Sequence, residues 1–199
     1  MLIDAIKLSE LVSIRAGHPI RGRIEPISEG GTPIITIKDL PNEISTDLSA
    51  LNLKCVNITS KKKPNYIQSG DILFSGRGQK CFAVTINNIK SKIIASPHLL
   101  ILSNLKKNVM PEYLSWYITH SIAAKNYFTQ QIRGTIILHV PRTALINLPV
   151  YVPELARQKA IIQLHKGWKK EESILNEIIE RREKVINNHL EKALETTGA

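Results

Sequence analysis

The last segment of this chain, residues 154–195, contains no proline and reads as one long helix. Pro149 and Pro153 come just before it. Proline suits the approach to a helix because it fixes φ and has no N–H to lose. At ~1.5 Å per residue the helix would be a rod of roughly 60 Å. We therefore predict two domains, residues 1–152 and the helical segment 153–199.

Apolar residues recur along this segment in steps of three, four and seven, close to the heptad spacing of a coiled coil. A helix of this length cannot bury such a seam on the preceding domain alone, so we expect a partner helix. A second interpretation stays open, in which the segment folds back as a hairpin near Gly167. The residues predicted to form the dimerisation seam are Leu164, Trp168, Leu175, Ile178, Ile179, Ile186 and Leu190.

Positive charge is concentrated before the helix. The whole chain has 27 Lys/Arg and 17 Asp/Glu, a net charge of +10. Residues 154–199 hold nine and eight of these, so residues 1–153 hold eighteen and nine, a net of +9. A basic domain beside a charge-balanced helix indicates a polyanionic partner for the domain. Charge by itself leaves open that this basic face binds nothing anionic.

Several classes of protein are disfavoured by the sequence. No apolar run approaches the ~20 residues of a membrane span, and the N-terminus lacks the pattern of a secretory signal, so we expect a cytoplasmic protein. Cys55 and Cys81 fit no metal spacing and are expected to be free thiols. There is no nucleophile elbow, His-Glu-x-x-His, methyltransferase, cofactor-loop or nuclease motif. We therefore expect no metal site and no catalytic residue in this chain.

Residues 1–152 have the pattern of a compact mixed α/β domain. Apolar β-branched runs predict a strand at residues 34–37 and a hairpin formed by residues 72–75 and 81–86, with further strands at 93–95 and 98–102. A helix is predicted from Pro111 to residue 128. With the long terminal helix, the fold class of the chain is α+β.

Three polar segments of this domain could contact a nucleic acid. Residues 15–23 and the Gly-Arg-Gly tip at residues 76–78 combine glycine, which allows close backbone approach, with arginine, whose planar fork fits phosphate or guanine. Residues 130–135 offer amides, an arginine and a hydroxyl that suit base edges in a major groove. The candidate DNA-binding residues are Arg21, Arg23, Arg77, Lys80, Gln130, Gln131, Arg133 and Thr135.

The order of these motifs resembles one half of a type I restriction–modification DNA specificity subunit. No single motif is decisive, because the resemblance lies in an ordered series that covers essentially the whole chain. The most telling members are residues 70–73, Gly-Asp-Ile-Leu, and the Leu-Pro-x-x-x-Pro run that leads into Gln158. The other members are residues 8–14, 34–39, 96–99, 111–114, Gly134 and 158–164.

The resemblance implies that the first domain is a target-recognition domain for double-stranded DNA. Subunits of this family usually carry two such domains, which read the halves of a split sequence, and two helices that pair antiparallel and set the gap. This sequence has one domain and one helix, so we expect a homodimer that reads a split palindrome. The expected partners are a DNA adenine methyltransferase (modification) subunit and, in some systems, a restriction subunit. The chain itself would hold no cofactor, because S-adenosylmethionine would bind to the methyltransferase subunit.

Three other functions remain open on the sequence alone. A stand-alone DNA-binding regulator would bind a specific sequence with no methyltransferase partner. A protein–protein adaptor would bind DNA weakly, without sequence preference and with strong salt dependence. A recognition domain detached from a longer enzyme would be a monomer with a partly unfolded helix.

Overall fold

The computed structural model describes residues 4–20, 30–41, 43–58, 63–77, 81–131 and 140–195. The chain divides into two units, Met1–Gln158 and Lys159–Ala199. The predicted boundary at residues 152/153 lies shortly before this division and stays a prediction. The α+β fold class with a long terminal helix is confirmed.

The chain forms ten strands and five α-helices within the described residues. The strands are β1 Ile6–Lys7, β2 Ser13–Ala16, β3 Thr32–Ile35, β4 Ser45–Asp47, β5 Lys54–Val56, β6 Ile72–Ser75, β7 Phe82–Asn87, β8 Ile94–Ala95, β9 Leu100–Ser103 and β10 Pro149–Val150. The α-helices are α1 Leu8–Leu11, α2 Pro111–His120, α3 Ile122–Gln131, α4 Arg142–Ile146 and α5 Leu155–Glu195.

A five-stranded sheet, in the order β2-β9-β6-β7-β4, forms the centre of the first unit. Its neighbours are antiparallel except β4 and β7, which are parallel. The predicted hairpin is confirmed, since β6 and β7 pair antiparallel from Ile72 opposite Thr85 to Ser75 opposite Phe82. All four residues of β6 are buried, which explains why its sequence is a continuous apolar run rather than an alternating one.

The central sheet is buried on both faces. Leu73, Val84 and Ile101 belong to one core cluster, with residues of β3 and β8. On the other face β7 meets α2, where the Thr85 and Ser115 hydroxyls are 2.8 Å apart. Fully burying each large apolar side chain contributes about 1.5–3 kcal/mol, so these two layers dominate the stability of the unit.

A smaller sheet has the order β5-β3-β8. Its central strand begins earlier than the sequence indicates and ends at Ile35, because residues 37–39 form a 3-10 turn. The Asp39 carboxylate accepts bonds of 2.8 and 2.7 Å from the backbone N–H and the hydroxyl of Thr36. This local cap competes with strand extension, so the prediction of a strand to residue 37 was wrong.

The helix predicted from Pro111 begins there but is broken at Ser121, so the prediction of one continuous helix was wrong. Ser121 has an extended backbone, with ψ at 139°. Its hydroxyl accepts a 3.1 Å bond from the N–H of Ala124 and thereby caps α3. The break turns Ile122 out of the core, and 76% of its surface is exposed.

The terminal helix α5 is continuous over 41 residues. The hairpin interpretation near Gly167 is therefore wrong. Its first turn is held by Gln158, which is fully buried. The Gln158 amide accepts a 2.8 Å bond from the Met110 N–H and donates to the carbonyls of Asn108 and Pro153 at 2.8 and 2.7 Å. In the part of the chain that the structure describes, no helix is long and apolar enough to cross a membrane.

Candidate nucleic-acid interface

Four strands of the central sheet start or finish at the same end, which we call the loop end. Ala16, the last residue of β2, pairs with Leu100, the first residue of β9. Leu100 also pairs with Phe74 of β6, and Ser75 pairs with Phe82, the first residue of β7. The connections that follow β2 and β6 and that precede β9 therefore leave the sheet side by side.

Arg77 stands at the loop end, two residues after the last residue of β6, and is exposed. Its Nη1 lies 3.2 Å from Nδ1 of His98, which is exposed in the turn between β8 and β9. The Ser75 hydroxyl donates a 3.3 Å bond to the carbonyl of Arg77. The Arg77 backbone is thus held in place, and among the described residues its side chain has one hydrogen-bond partner, His98.

Gly76 connects the segment after β6 to Val140, which lies two residues before α4. The Val140 N–H donates a 2.8 Å bond to the Gly76 carbonyl. A Cβ at Gly76 would lie 2.9 Å from the Val140 carbonyl oxygen and 2.9 Å from Cε1 of Phe74. Glycine is therefore required here for close packing, and Val140 is held at the loop end.

Gly17 and His18 fix the backbone after β2 against the same turn that carries His98. The Gly17 N–H donates to the Leu99 carbonyl at 2.9 Å, and the His18 N–H donates to the Ala95 carbonyl at 2.8 Å. A Cβ at Gly17 would lie only 2.0 Å from the carbonyl oxygen of Ser96. Only glycine allows these two backbones to come so close.

Helix α3 reaches the loop end through Phe128, whose ring centroid is 6.2 Å from that of Phe74. Gln130 and Gln131 follow within the next turn and are exposed. The structure therefore places Arg77 at the loop end, and it places Gln130 and Gln131 two and three residues beyond Phe128, the residue of α3 that packs against Phe74. The other five predicted DNA-binding residues, Arg21, Arg23, Lys80, Arg133 and Thr135, lie outside the described residues.

Two further arginines of the first unit are bound by the fold. Arg15 Nη2 makes 3.1 Å contacts with the Asp71 carboxylate and the Tyr66 carbonyl. Arg142 donates a 2.7 Å bond to the carbonyl of Ile14. Sequence reasoning missed His98 as a neighbour of Arg77, because residues this far apart in the chain carry no spacing signal.

Lysines stand at the opposite end of the sheet. Lys90, Lys106 and Lys107 are exposed there, close to where β7 and β9 finish. Positive charge alone therefore does not select the loop end. The loop end is distinguished by arginine and glutamine, the side chains that can make bidentate bonds to guanine and adenine.

The predicted seam of α5 is exposed along its length. The exposed fractions of the seven predicted seam residues are Leu164 77%, Trp168 50%, Leu175 52%, Ile178 48%, Ile179 61%, Ile186 56% and Leu190 59%. Ile174, Val185 and Leu194 are also large apolar residues with exposed surfaces. Because the structure holds one chain, the dimerisation role of these residues stays a prediction.

The described residues offer little for catalysis. Among them, no three His, Cys, Asp or Glu side chains are grouped closely enough to hold a metal ion. Both thiols are free, and burial raises the pKa of Cys81 to about 11. A thiol with such a pKa is protonated at neutral pH and is a poor nucleophile.

The family model of the type I restriction modification DNA specificity domain matches residues 3–187. The chain belongs to that family. The resemblance inferred from the ordered motifs is thereby confirmed, and a role in DNA recognition follows from the family. A search of curated proteins found no match to the chain.

Solved structures of type I specificity subunits share this fold. The HsdS subunit from Thermoanaerobacter tengcongensis is 15% identical with a TM-score of 0.57, and the alignment covers 86% of this chain and 38% of that chain. A chain from a structural study of complex assembly and conformational transition of the type I R-M system is 16% identical with a TM-score of 0.58, covering 86% and 39%. The S subunit from M. genitalium is 12% identical with a TM-score of 0.50, covering 92% and 43%. The chain thus spans about two fifths of the length of these relatives.

Proposed function

We propose that this chain reads one half of a split DNA sequence through the loop end of its first unit. The observation that supports this most strongly is the exposed Arg77 at the loop end, with the exposed Gln130 and Gln131 following Phe128, which packs against Phe74. Arginine can grip guanine O6 and N7 with two donors, and glutamine can pair with adenine N6 and N7. Backbone contacts to phosphate would add affinity and fix the register without specifying sequence.

We also propose that two copies pair through α5. The seam that would form the contact is exposed on a single chain, which is costly for a helix of ~60 Å in water unless another helix covers it. A symmetric pair would present two identical loop ends, so the target would be a split palindrome. The antiparallel arrangement expected from the family would make the length of α5 set the gap between the half-sites.

The pair would bring an adenine methyltransferase subunit to its target. In this proposal S-adenosylmethionine binds to the methyltransferase subunit, and a restriction subunit joins where the system cleaves DNA. The specificity chain supplies no catalytic group and acts where the DNA is, in the cytoplasm.

The experiment that tests this function is genome-wide detection of adenine methylation by long-read sequencing, with the gene present and deleted. We expect methylation at one split, symmetric motif to disappear on deletion. An asymmetric lost motif would show pairing with a different specificity chain and would contradict the homodimer. If no motif changes while a methyltransferase partner is expressed, the specificity role is wrong.

Matched variants sharpen the same experiment. The deletion strain is complemented with Arg77→Ala, at the loop end, or with Lys107→Ala, which removes one positive charge at the opposite end. We expect Lys107→Ala to restore methylation of the motif. We expect Arg77→Ala to lower the extent of methylation at the motif or to relax its sequence specificity. The reverse result would move the DNA contact to the opposite end of the sheet.

A further inference from the structure

We propose that His98 is a positioning residue that holds the guanidinium of Arg77 for reading a guanine. This inference rests on the proposed function and deepens it, because it assigns a specificity-determining role to a residue outside the predicted site. The observation that motivates it is the 3.2 Å contact between Arg77 Nη1 and His98 Nδ1.

The chemistry of the two side chains fixes the direction of this bond. Arginine has five N–H donors and no acceptor, and it stays protonated in proteins. His98 Nδ1 must therefore accept the bond, so the ring is neutral in this arrangement and carries its proton on Nε2. A histidine with this tautomer restrains the arginine without reducing the positive charge that the DNA would meet.

Both side chains are exposed, but the backbone beneath each is fixed. Ser96 and Leu99, which flank the turn of His98, are 1% and 0% exposed. The turn is closed by a 3.0 Å bond from the Leu99 N–H to the Ser96 carbonyl and is held to β3 by a 2.9 Å bond from the Ser96 N–H to the Ile35 carbonyl. Arg77 follows Gly76, which is itself bonded to Val140. The backbone that carries each of the two side chains is thus fixed by the fold.

This support matters because a free arginine loses much rotamer freedom when it binds. Restraining Nη1 in advance reduces that loss, and the hydrogens that His98 does not use remain available for the two-pronged bond to guanine O6 and N7. A mismatched base does not accept both of those hydrogen bonds. The restraint therefore increases discrimination at one base pair more than it increases affinity for DNA in general.

An exposed contact between two surface side chains contributes little to folding stability. Replacing His98 should therefore leave the fold intact, which allows binding to be measured on folded protein. This separates a positioning role from a merely structural one.

The test begins by selecting bound sequences from randomised double-stranded DNA with the wild-type chain of residues 1–199. Equilibrium binding of the recovered duplex, and of duplexes with each base pair replaced, is then measured for wild type, Arg77→Ala, His98→Ala and the double variant. We expect Arg77→Ala to lose about 10- to 100-fold discrimination at one G·C pair. We expect His98→Ala to lose about 3- to 10-fold at the same pair and nowhere else, and the double variant to match Arg77→Ala.

Two conservative variants examine the position of the acceptor. In His98→Asn, the amide oxygen of the introduced side chain can stand near the site of Nδ1. In His98→Gln, the longer side chain places its oxygen near the site of Nε2. We expect His98→Asn to restore discrimination to within about twofold of wild type and His98→Gln not to restore it. Lys107→Ala serves as the charge control and should keep the full base preference.

The outcomes separate this inference from the proposed function. If no sequence is enriched from the random pool, the proposed function fails and His98 has no base to help read. If a sequence is enriched but His98→Ala keeps full discrimination, only the role of His98 is wrong. A uniform loss of affinity at every base pair would make the Arg77–His98 pair a phosphate contact and would also overturn the inference.

Discussion

Arg15 and Arg142 are bound by the fold, whereas Arg77 is exposed and its one described side-chain contact is with a histidine. Arg15 forms an ion pair with the buried carboxylate of Asp71, and the Arg142 side chain donates a hydrogen bond to the carbonyl of Ile14. In the sequence these arginines look alike, since each lies within two residues of a glycine or a proline. Their roles depend on partners that are distant in the chain, so only the structure separates the arginines that support the fold from one that can read DNA.

The buried carboxylate of Asp71 gives a pH-dependent prediction. Burial raises its pKa above the ordinary value of 3.8, although bonds from the Gln68 N–H and from Arg15 act in the opposite direction. The folded chain therefore holds this proton to a higher pH than the unfolded chain does. Between the two pKa values the folded state binds more protons, so the stability contributed by Asp71 falls as pH rises through that window.

Urea unfolding of wild type and Asp71→Asn across about pH 3 to 7 measures this effect. We expect the wild type to lose stability relative to the neutral variant as pH rises from just below the ordinary pKa of 3.8. Asp47→Asn is the control with the opposite sign, because bonds from Asn88 and Ser49 lower the pKa of Asp47. For Asp47 the wild type should gain stability relative to its variant as pH rises. A flat difference for Asp71 would contradict the prediction.

At the scale of elements, the sequence predicted those turns, strands and helix ends that depend on neighbouring residues in the chain. The turn before β6, the β6–β7 hairpin, the start of α2 at Pro111 and the whole of α5 follow from turn residues, proline and apolar period. The break at Ser121 did not, because the residues on both sides favour a helix and the serine caps α3 only in its tertiary setting. Strand order was also beyond the sequence, since the pairing of β2 with β9 joins distant segments.

Gln158 connects the start of α5 to the segment before α2, and its replacement gives the prediction at this scale. Gln158→Ala removes the acceptor of the Met110 N–H and the donors to two carbonyls, in a buried site. Leaving buried polar groups without partners costs about 1–3 kcal/mol, so we expect a loss of about 2 kcal/mol in the free energy of unfolding. Chemical denaturation measures it, with Gln163→Ala, an exposed glutamine of the same helix, as a near-neutral control. Equal stability of the two variants would show that Gln158 does not hold this junction.

At the scale of the whole molecule, charge and apolar surface are separated along the chain. The net charge of +9 on residues 1–153 suits a polyanion, and the charge-balanced helix carries the exposed seam. The candidate site was partly predictable, because Arg77, Gln130 and Gln131 were chosen from their side-chain chemistry. The packing of α3 near the strand that leads to Arg77 was not predictable, because it depends on the register of the strands and on the contact of Phe128 with Phe74.

The seam gives the prediction for the assembly. If two copies pair through α5, the wild type at micromolar concentration should have twice the chain mass of 22.3 kDa. Ile178→Glu would place two unpaired carboxylates in the apolar contact, where burying a charge costs several kcal/mol, so we expect the chain mass instead. Light scattering coupled to size exclusion measures both, and far-UV circular dichroism at matched concentration follows the helix content.

The control for Ile178→Glu adds the same charge on the other side of the helix. Asn187 lies nine residues from Ile178, about two and a half turns at 3.6 residues per turn, and therefore on the opposite face. Asn187→Glu should keep the doubled mass. A single-chain mass for the wild type, or an unchanged mass for Ile178→Glu, would contradict pairing through this seam. Because two loop ends are joined only through that pairing, Ile178→Glu should also abolish methylation of the split motif while leaving each half-site contact intact.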